Sequence, residues 1–143
     1  MYNWSTAMGL PSSCNSSTCS SQIQTKHRGI CPAGWHIPSD AEWTALTDYV
    51  GSTAGTKLKA ASGWDEYETY GNGTDDHGFS ALPGGNGRSG GGFIDVGTYG
   101  YWWSATESNA SFAYYRRMDR LSSRVNRIDL SKSDLYSVRC VKD

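Results

Sequence analysis

Arginine, tyrosine and tryptophan are concentrated near the C-terminus, in a spacing that could bind a ligand. Residues 100–120 read GYWWSATESNASFAYYRRMDR and contain six aromatic side chains and three arginines. These residue types supply much of the binding energy at recognition surfaces, and the planar guanidinium group selects carboxylate and phosphate groups. We therefore predict a ligand-binding surface made of Trp102, Tyr114, Arg116, Arg117, Arg120, Arg124, Asn126, Arg127 and Asp129.

Whether these residues share one surface depends on the strands that carry them. Segments 99–106, 112–120, 124–130 and 136–143 are strand candidates, and polar turn residues separate them, which indicates antiparallel hairpins. Since successive side chains of a strand point to opposite faces, we expect one face to be core and the other to be exposed. The alternative is a solvated hairpin with Arg–Asp cross-strand pairs, each contributing about 0.2–1 kcal/mol.

The tryptophans are divided between the core and the predicted surface. Trp102 and Trp103 are adjacent, so on a strand they must point to opposite faces. We expect one of them to be core and the other to be covered by the glycine-rich loop or exposed as a stacking platform. Trp35, Trp43 and Trp64 lie beside patterned apolar positions, which favours the core for all three.

A second candidate site is the acidic segment NGTDDHG at residues 72–78. Asn72, Asp75 and Asp76 offer hard oxygen ligands in a glycine-bent backbone, which is compatible with calcium. The alternative is an Asx turn, in which these side chains bind their own backbone, and the ligand order of an EF-hand is missing. We expect no other cofactor.

The four cysteines predict two disulfides and an oxidising compartment. Cys14, Cys19, Cys31 and Cys140 allow three connectivities. We favour Cys31 with Cys140, which would join the start of the patterned region to its last strand, and Cys14 with Cys19 as a local bridge. A zinc site is the alternative, but the spacing matches none of the usual ligand patterns.

Length and composition predict a single domain over residues 1–143 that is rich in loops. The chain is 37% hydrophobic, 19% charged and contains 17 glycines. Residues 1–30 form a loop-rich N-terminal part and residues 31–143 the body. No apolar stretch is long enough for a membrane span and no leader precedes Tyr2, so we expect that an upstream segment has been removed.

The clearest local signal is a helix start in IPSDAEWTALTDYVG. Ser39 and Glu42 form a capping-box pattern, and Gly51 stands where the helix should end, which predicts a helix over residues 39–50. A second, short helix is predicted in AGTKLKAA, at residues 54–61. Residues 65–93 are dominated by glycine, asparagine and aspartate, which is typical of a long shaped loop.

The charge distribution argues against nucleic acid as a partner. The net charge is −1, and residues 112–143 hold six Arg and two Lys against four Asp, or +4, which leaves −5 for the rest. The aspartates interleaved with the arginines and the slightly acidic whole chain do not fit a nucleic-acid surface.

Five motifs resemble the Fibrobacter succinogenes major paralogous domain family: YNWSTAM, CPAGWHIPSDAEW, GTDDHGFSALPGG, YWWSAT and SVRCVKD. Together they cover nearly the whole chain in this order. The resemblance implies an exported or surface-attached bacterial protein, and an α+β, C-type lectin-like fold that is also similar to the formylglycine-generating enzymes. In that fold, one main helix and a short second helix would pack on twisted antiparallel hairpins, with long glycine-rich loops.

The chemistry of the related enzymes is not expected here. Formylglycine-generating oxidases need paired cysteines near the C-terminus, whereas Cys140 is the only cysteine after Cys31. The related sulfoxide synthases need a histidine cluster, whereas His27, His36 and His77 are far apart in the sequence. We therefore expect a secreted or cell-surface, non-catalytic domain that binds a glycan or protein. A structural or adhesion module is the second hypothesis and an enzyme the third.

Overall fold

The structure is a computed structural model, and it describes residues 1–88 and 90–143. Its helices lie in the first half of the chain. They are α1 (Trp4–Met8), α2 (Asp40–Val50) and α3 (Ala54–Leu58), with 3₁₀ turns at Ser12–Asn15 and Ser20–Gln22.

The strands form three small antiparallel sheets. Within the described residues they are β1 (Trp35–His36), β2 (Asn86–Gly87), β3 (Phe93–Ile94), β4 (Tyr99–Glu107), β5 (Phe112–Asp119), β6 (Asn126–Ser131) and β7 (Val141–Lys142). Strands β4, β5 and β6 form the main sheet in that order, β1 pairs with β7, and β2 pairs with β3. The protein is therefore α+β, with few helices and small antiparallel sheets.

Helix α2 begins where the sequence predicts it to begin. The Glu42 backbone N–H donates to the Ser39 hydroxyl at 3.2 Å, and the Glu42 carboxylate accepts the Ser39 backbone N–H at 2.8 Å. This reciprocal pair satisfies two backbone donors that a helix start would otherwise leave free. The capping-box prediction is confirmed, and the short second helix is also present as α3.

The fourth predicted strand differs from the structure. Residues 136–143 do not extend the sheet beyond β6, because the chain crosses to the opposite edge and lies beside β4. There the Ser137 N–H donates to the Tyr101 carbonyl and the Trp103 N–H donates to the Ser137 carbonyl, both at 3.1 Å. A strand is present only at Val141–Lys142, where the chain pairs with β1.

The main sheet is covered on both faces. On one face, the N-terminal segment packs against Tyr101, Trp103 and Tyr115. On the other face, helices α2 and α3 pack against Trp102 and Met118. The prediction that one face of the hairpins is exposed is therefore wrong, because each face has a hydrophobic cluster of its own.

Candidate functional site

Trp102 and Arg116 are predicted binding residues, but both are buried between the sheet and helix α2. Trp102 is 6% exposed and packs with Trp43 and Met118. Arg116 is 2% exposed and donates to the Asp40 carboxylate at 2.6 Å, the Asp40 carbonyl at 3.0 Å and the Thr44 hydroxyl at 2.9 Å. Their predicted exposure is wrong, because α2 covers this face and offers acceptors for the guanidinium group.

Tyr114, Arg127 and Asp129 lie on the same face, at the outer edge of the sheet. Tyr114 is opposite Asp129 in the β5–β6 register, and the Arg127 guanidinium lies 3.9 Å over the Tyr114 ring. The Arg127 Nε donates to both Asp40 oxygens, at 3.0 and 2.9 Å, and this hydrogen bonding raises the pKa of Arg127. These three predicted residues therefore do lie on one face, where Asp40 binds the half-exposed Arg127.

The remaining predicted residues lie elsewhere. Arg117 points to the opposite face of β5, where its guanidinium lies 5.3 Å from the Tyr99 ring, and it is opposite Asn126. Arg120 and Arg124 lie in the connection between β5 and β6, where they line a separate pocket. The prediction of one patch made of all nine residues is therefore wrong, because they are divided among both faces and one end of the sheet.

Two of the three proposed calcium ligands, Asn72 and Asp75, accept hydrogen bonds from within the chain. The Asn72 side-chain oxygen accepts the Trp64 N–H at 3.0 Å, while the Asp75 carboxylate accepts the Ser80 N–H at 2.7 Å and the Ser80 hydroxyl at 2.5 Å. These hydrogen bonds from Ser80 lower the pKa of Asp75. The described residues contain no group of three or more His, Cys, Asp or Glu that could hold a metal. Calcium binding by Asn72, Asp75 and Asp76 stays a prediction.

Both predicted disulfides are present. Cys14 pairs with Cys19 and Cys31 pairs with Cys140, with Cα–Cα distances of 5.7 and 5.9 Å. All four sulfurs are therefore used, which leaves no thiolate for the zinc alternative. The long bridge holds the end of the chain beside the start of its body, so that β7 can pair with β1.

Next to this bridge is a groove that the sequence did not predict. Its volume is about 420 Å³, and its walls come from β1, α2, Phe79 and the C-terminal segment. The groove is lined by Trp35, Pro38, Glu42, Trp43, Ala45, Leu46, Phe79, Arg139, Cys140, Val141 and Lys142. Trp35 is 40% exposed, so its predicted place in the core is wrong. It is opposite Lys142 in a two-stranded ribbon that leaves its side chain at the surface.

Two cations remain available at the groove. The Arg139 guanidinium lies 4.2 Å over the Phe79 ring, and Lys142 is exposed. In the described part of the chain, neither of them forms an ion pair. Glu42 lines the groove as well, but its oxygens have other partners: one contacts His36 at 2.8 Å and the other accepts from Ser39. The groove therefore combines apolar walls with positive charge.

His36 is buried beside the groove and holds its walls together. Its Nε2 contacts the Glu42 carboxylate at 2.8 Å and its Nδ1 contacts the Asp143 carboxylate at 2.7 Å. Burial by itself lowers the pKa of His36, but the hydrogen bonds to the two carboxylates outweigh burial and raise the pKa above 6.5. Because both ring nitrogens have carboxylate partners, the ring has no free nitrogen to act as a base for a substrate.

The predicted disulfide was the signal that could have located this groove. Trp35 follows Cys31 by four residues, and Lys142 follows Cys140 by two. A bridge between the two cysteines brings these neighbours close together, whichever elements connect them. The proximity of Trp35 and Lys142 was therefore predictable from the sequence. That α2 and Phe79 complete the walls of the groove was not.

Comparison with known proteins identifies the family. No curated protein and no solved structure is significantly similar to the chain. In the described residues, no helix is long and apolar enough to cross a membrane. The model of the Fibrobacter succinogenes major domain matches residues 1–142, which is nearly the whole chain. The chain therefore belongs to the Fibrobacter succinogenes major domain family.

Proposed function

We propose that the protein is a non-catalytic ligand-binding domain of an exported protein and that it binds a partner protein in the groove beside Trp35. The observation that carries this proposal is the groove itself, which combines a half-exposed tryptophan, apolar walls and two cations that have no ion-pair partner among the described residues. We propose this groove as the binding site in place of the hairpin face, because the residues predicted for the hairpin face do not share one surface.

The chemistry of the walls favours a peptide segment as the ligand. Leu46, Phe79 and Val141 offer contact area for an apolar side chain, and burial of an apolar surface drives association. Arg139 and Lys142 would meet a carboxylate next to that side chain. The ligand is thus an apolar residue with an acidic neighbour in an extended segment of a protein surface.

The exposed indole of Trp35 supports a glycan as the second candidate, because an aromatic ring can cover the apolar face of a sugar. However, a sugar also presents several hydroxyl groups, which need hydrogen-bond partners when they are buried. Glu42 is committed to His36 and Ser39, so the groove offers few such partners. The peptide is therefore the first candidate.

The two disulfides support export, since such bridges persist in oxidising compartments. We also propose a C-type lectin-like fold. The likeness rests on the helix start HIPSDAEW and the terminal SVRC segment, which the Cys31–Cys140 bridge and the β1–β7 pair hold close together.

The test is a selection with two kinds of ligand. The immobilised protein is screened against a displayed peptide library and against a glycan array. We expect enriched peptides that combine an apolar residue with Asp or Glu, and we expect Trp35→Ala to lose them. Phe112→Ala is the matched control, because Phe112 is also 40% exposed but lies on β5, outside the groove.

Three results would contradict the proposal in different ways. Enriched peptides that bind the Trp35→Ala variant equally well would place the site elsewhere. Glycan hits without peptide hits would favour the second candidate. No ligand in either screen would favour a structural or adhesion module.

A further inference from the structure

A second pocket lies between helix α3 and the connection from β5 to β6. Its volume is about 310 Å³, and its walls are more polar than those of the groove. Three cationic residues line it, together with hydroxyl and amide groups. The lining includes Thr56, Lys59, Tyr70, Asn72, Arg120 and Arg124.

Lys59 is a buried cation in this pocket: its ammonium group lies 5.1 Å from the Trp64 ring, and its hydrogen bonds go to neutral carbonyl groups. Its side chain is 3% exposed, and its ammonium group donates to the Asp119 carbonyl at 3.1 Å and to the Ser122 carbonyl at 3.5 Å. Among the residues that the structure describes, no carboxylate forms an ion pair with Lys59. A buried charge without an ion-pair partner is costly, and burial lowers the pKa of Lys59 although the nearby Asp119 charge acts in the opposite direction.

Arg120 has unused hydrogen-bonding capacity at the same pocket. Its Nε is buried and has no hydrogen-bond partner in the described part of the chain. Its contact with the Asp65 carboxylate is 3.9 Å, which is too long for a hydrogen bond. Arg120 therefore adds a second positive group that its surroundings do not fully satisfy.

The walls of the pocket are fixed by close backbone packing. A Cβ atom on Gly73 would lie 2.2 Å from the Lys59 carbonyl oxygen, and one on Gly55 would lie 2.5 Å from the Arg124 carbonyl oxygen. The Gly55 N–H also donates to the Ser123 carbonyl at 2.8 Å. Since these backbone contacts hold the segments in place, binding would need little ordering of the chain.

We propose that this pocket binds an oxyanion group, such as a sulfate, a phosphate or a carboxylate, between Lys59, Arg120 and Arg124. Such a group supplies an ion-pair partner for Lys59 and an acceptor for the Arg120 guanidinium. The pocket is built from other residues than the groove beside Trp35, so the two proposals can fail separately.

The experiment is a calorimetric titration with sodium sulfate, sodium phosphate and sodium acetate, each at constant ionic strength set by chloride. We expect saturable binding of at least one of the three ions. Arg120→Gln should weaken that binding about tenfold or more, because it removes a charged hydrogen-bond donor. The control is Arg127→Gln, which removes the same charge from neighbouring strand β6 outside the pocket and should leave the affinity unchanged.

A second variant separates binding from folding. Lys59→Met keeps most of the side-chain volume and removes the buried charge, so it should abolish ion binding while the melting temperature without added ion is kept or raised. Selective binding of sulfate and phosphate would indicate a tetrahedral ligand, and binding of acetate a carboxylate. The proposal is overturned if none of the ions gives saturable binding, or if Arg120→Gln and Arg127→Gln weaken it equally.

Discussion

Arg116 and Asp40 form an ion pair of 2.6 Å that attaches the first turn of helix α2 to strand β5. The single Nε–H of Arg127 is shared between both Asp40 carboxylate oxygens, so one carboxylate holds two arginines from neighbouring strands. The two arginines differ in environment: Arg116 is buried, whereas half of the Arg127 side chain is exposed. This arrangement gives the conspicuous arginines of the hairpin a structural role.

The first prediction compares these two arginines. Arg116→Ala should lower the free energy of unfolding by about 3–5 kcal/mol, because it breaks a buried ion pair and removes three hydrogen bonds to Asp40 and Thr44 under the helix. Arg127→Ala should lower it by less than about 1 kcal/mol, since its pair with Asp40 is exposed to solvent. Urea denaturation measures both values. Equal losses would contradict a buried structural role for Arg116.

The second prediction concerns the disulfides. The Cys31–Cys140 bridge closes a separation of 109 residues, and the Cys14–Cys19 bridge closes one of 5. In the chain-entropy account, replacing both cysteines by alanine should cost about 4–5 kcal/mol for the long bridge and about 2 kcal/mol for the short one. Thermal unfolding of the two double variants tests this order, and the reverse order would refute it.

The third prediction concerns the buried pair of Lys132 and Glu107. The Lys132 ammonium is 0% exposed and contacts the Glu107 carboxylate at 2.6 Å. Burial by itself raises the pKa of Glu107, but Lys132 and the backbone N–H groups of Cys19 and Ser20 lower it below 4.5. The stability from this pair is therefore present above pH 4.5 and is lost as the pH falls through the pKa of Glu107 in the folded protein.

Glu107→Gln should therefore unfold in acid with a shallower pH dependence than the natural chain. It should also lose about 3–5 kcal/mol at neutral pH, because it leaves the Lys132 charge buried without a counter-charge. Glu68→Gln, on an exposed loop, is the control. Parallel acid-unfolding curves for the natural chain and Glu107→Gln would contradict this prediction.

The local parts of the fold were predictable from the sequence because neighbouring residues determine them. Ser39 and Glu42 fix the start of α2 within four residues, and alternation fixes the strands of the main sheet. The cysteine pairs were predicted from the positions of Cys31 and Cys140 at the two ends of the patterned region, with Cys14 and Cys19 left as a local pair. These features depend on short spacings or on a small number of possible pairings.

The exposure of the strand faces was not predictable in the same way. Alternation tells which side chains of β5 share a face, but it does not tell whether a helix covers that face. Arg116 is buried because Asp40, 76 positions earlier, lies above it. Trp35 is exposed for a similar long-range reason, because its partner Lys142 comes from the end of the chain. Such contacts depend on the packing of distant elements.

The fourth prediction is a pH dependence from His36. The carboxylates of Glu42 and Asp143 raise its pKa above 6.5, so its contribution to stability is complete below pH 6.5 and is lost as the pH rises through the raised pKa. Glu42 must also be ionised, and hydrogen bonds from Ser39 and His36 lower its pKa below 4.5 in spite of burial. The contribution of His36 to stability should therefore be largest between about pH 4.5 and 6.5.

Melting temperatures of the natural chain and His36→Gln, measured across this range, test the fourth prediction. The difference between them should be largest near pH 5.5 and should shrink at alkaline pH. His77→Gln, which changes an exposed histidine, should follow the natural chain at every pH. A difference that grows as the pH rises would contradict the assigned sign.

The most direct test of the proposed function is the affinity of one selected apolar–acidic peptide for the natural chain, Trp35→Ala and Phe112→Ala, measured by isothermal titration calorimetry. The groove predicts that Trp35→Ala weakens binding roughly 30-fold or more, as expected for a central aromatic contact, at an unchanged melting temperature. Phe112→Ala should bind like the natural chain. Equal affinities for the natural chain and Trp35→Ala would contradict the groove as the binding site.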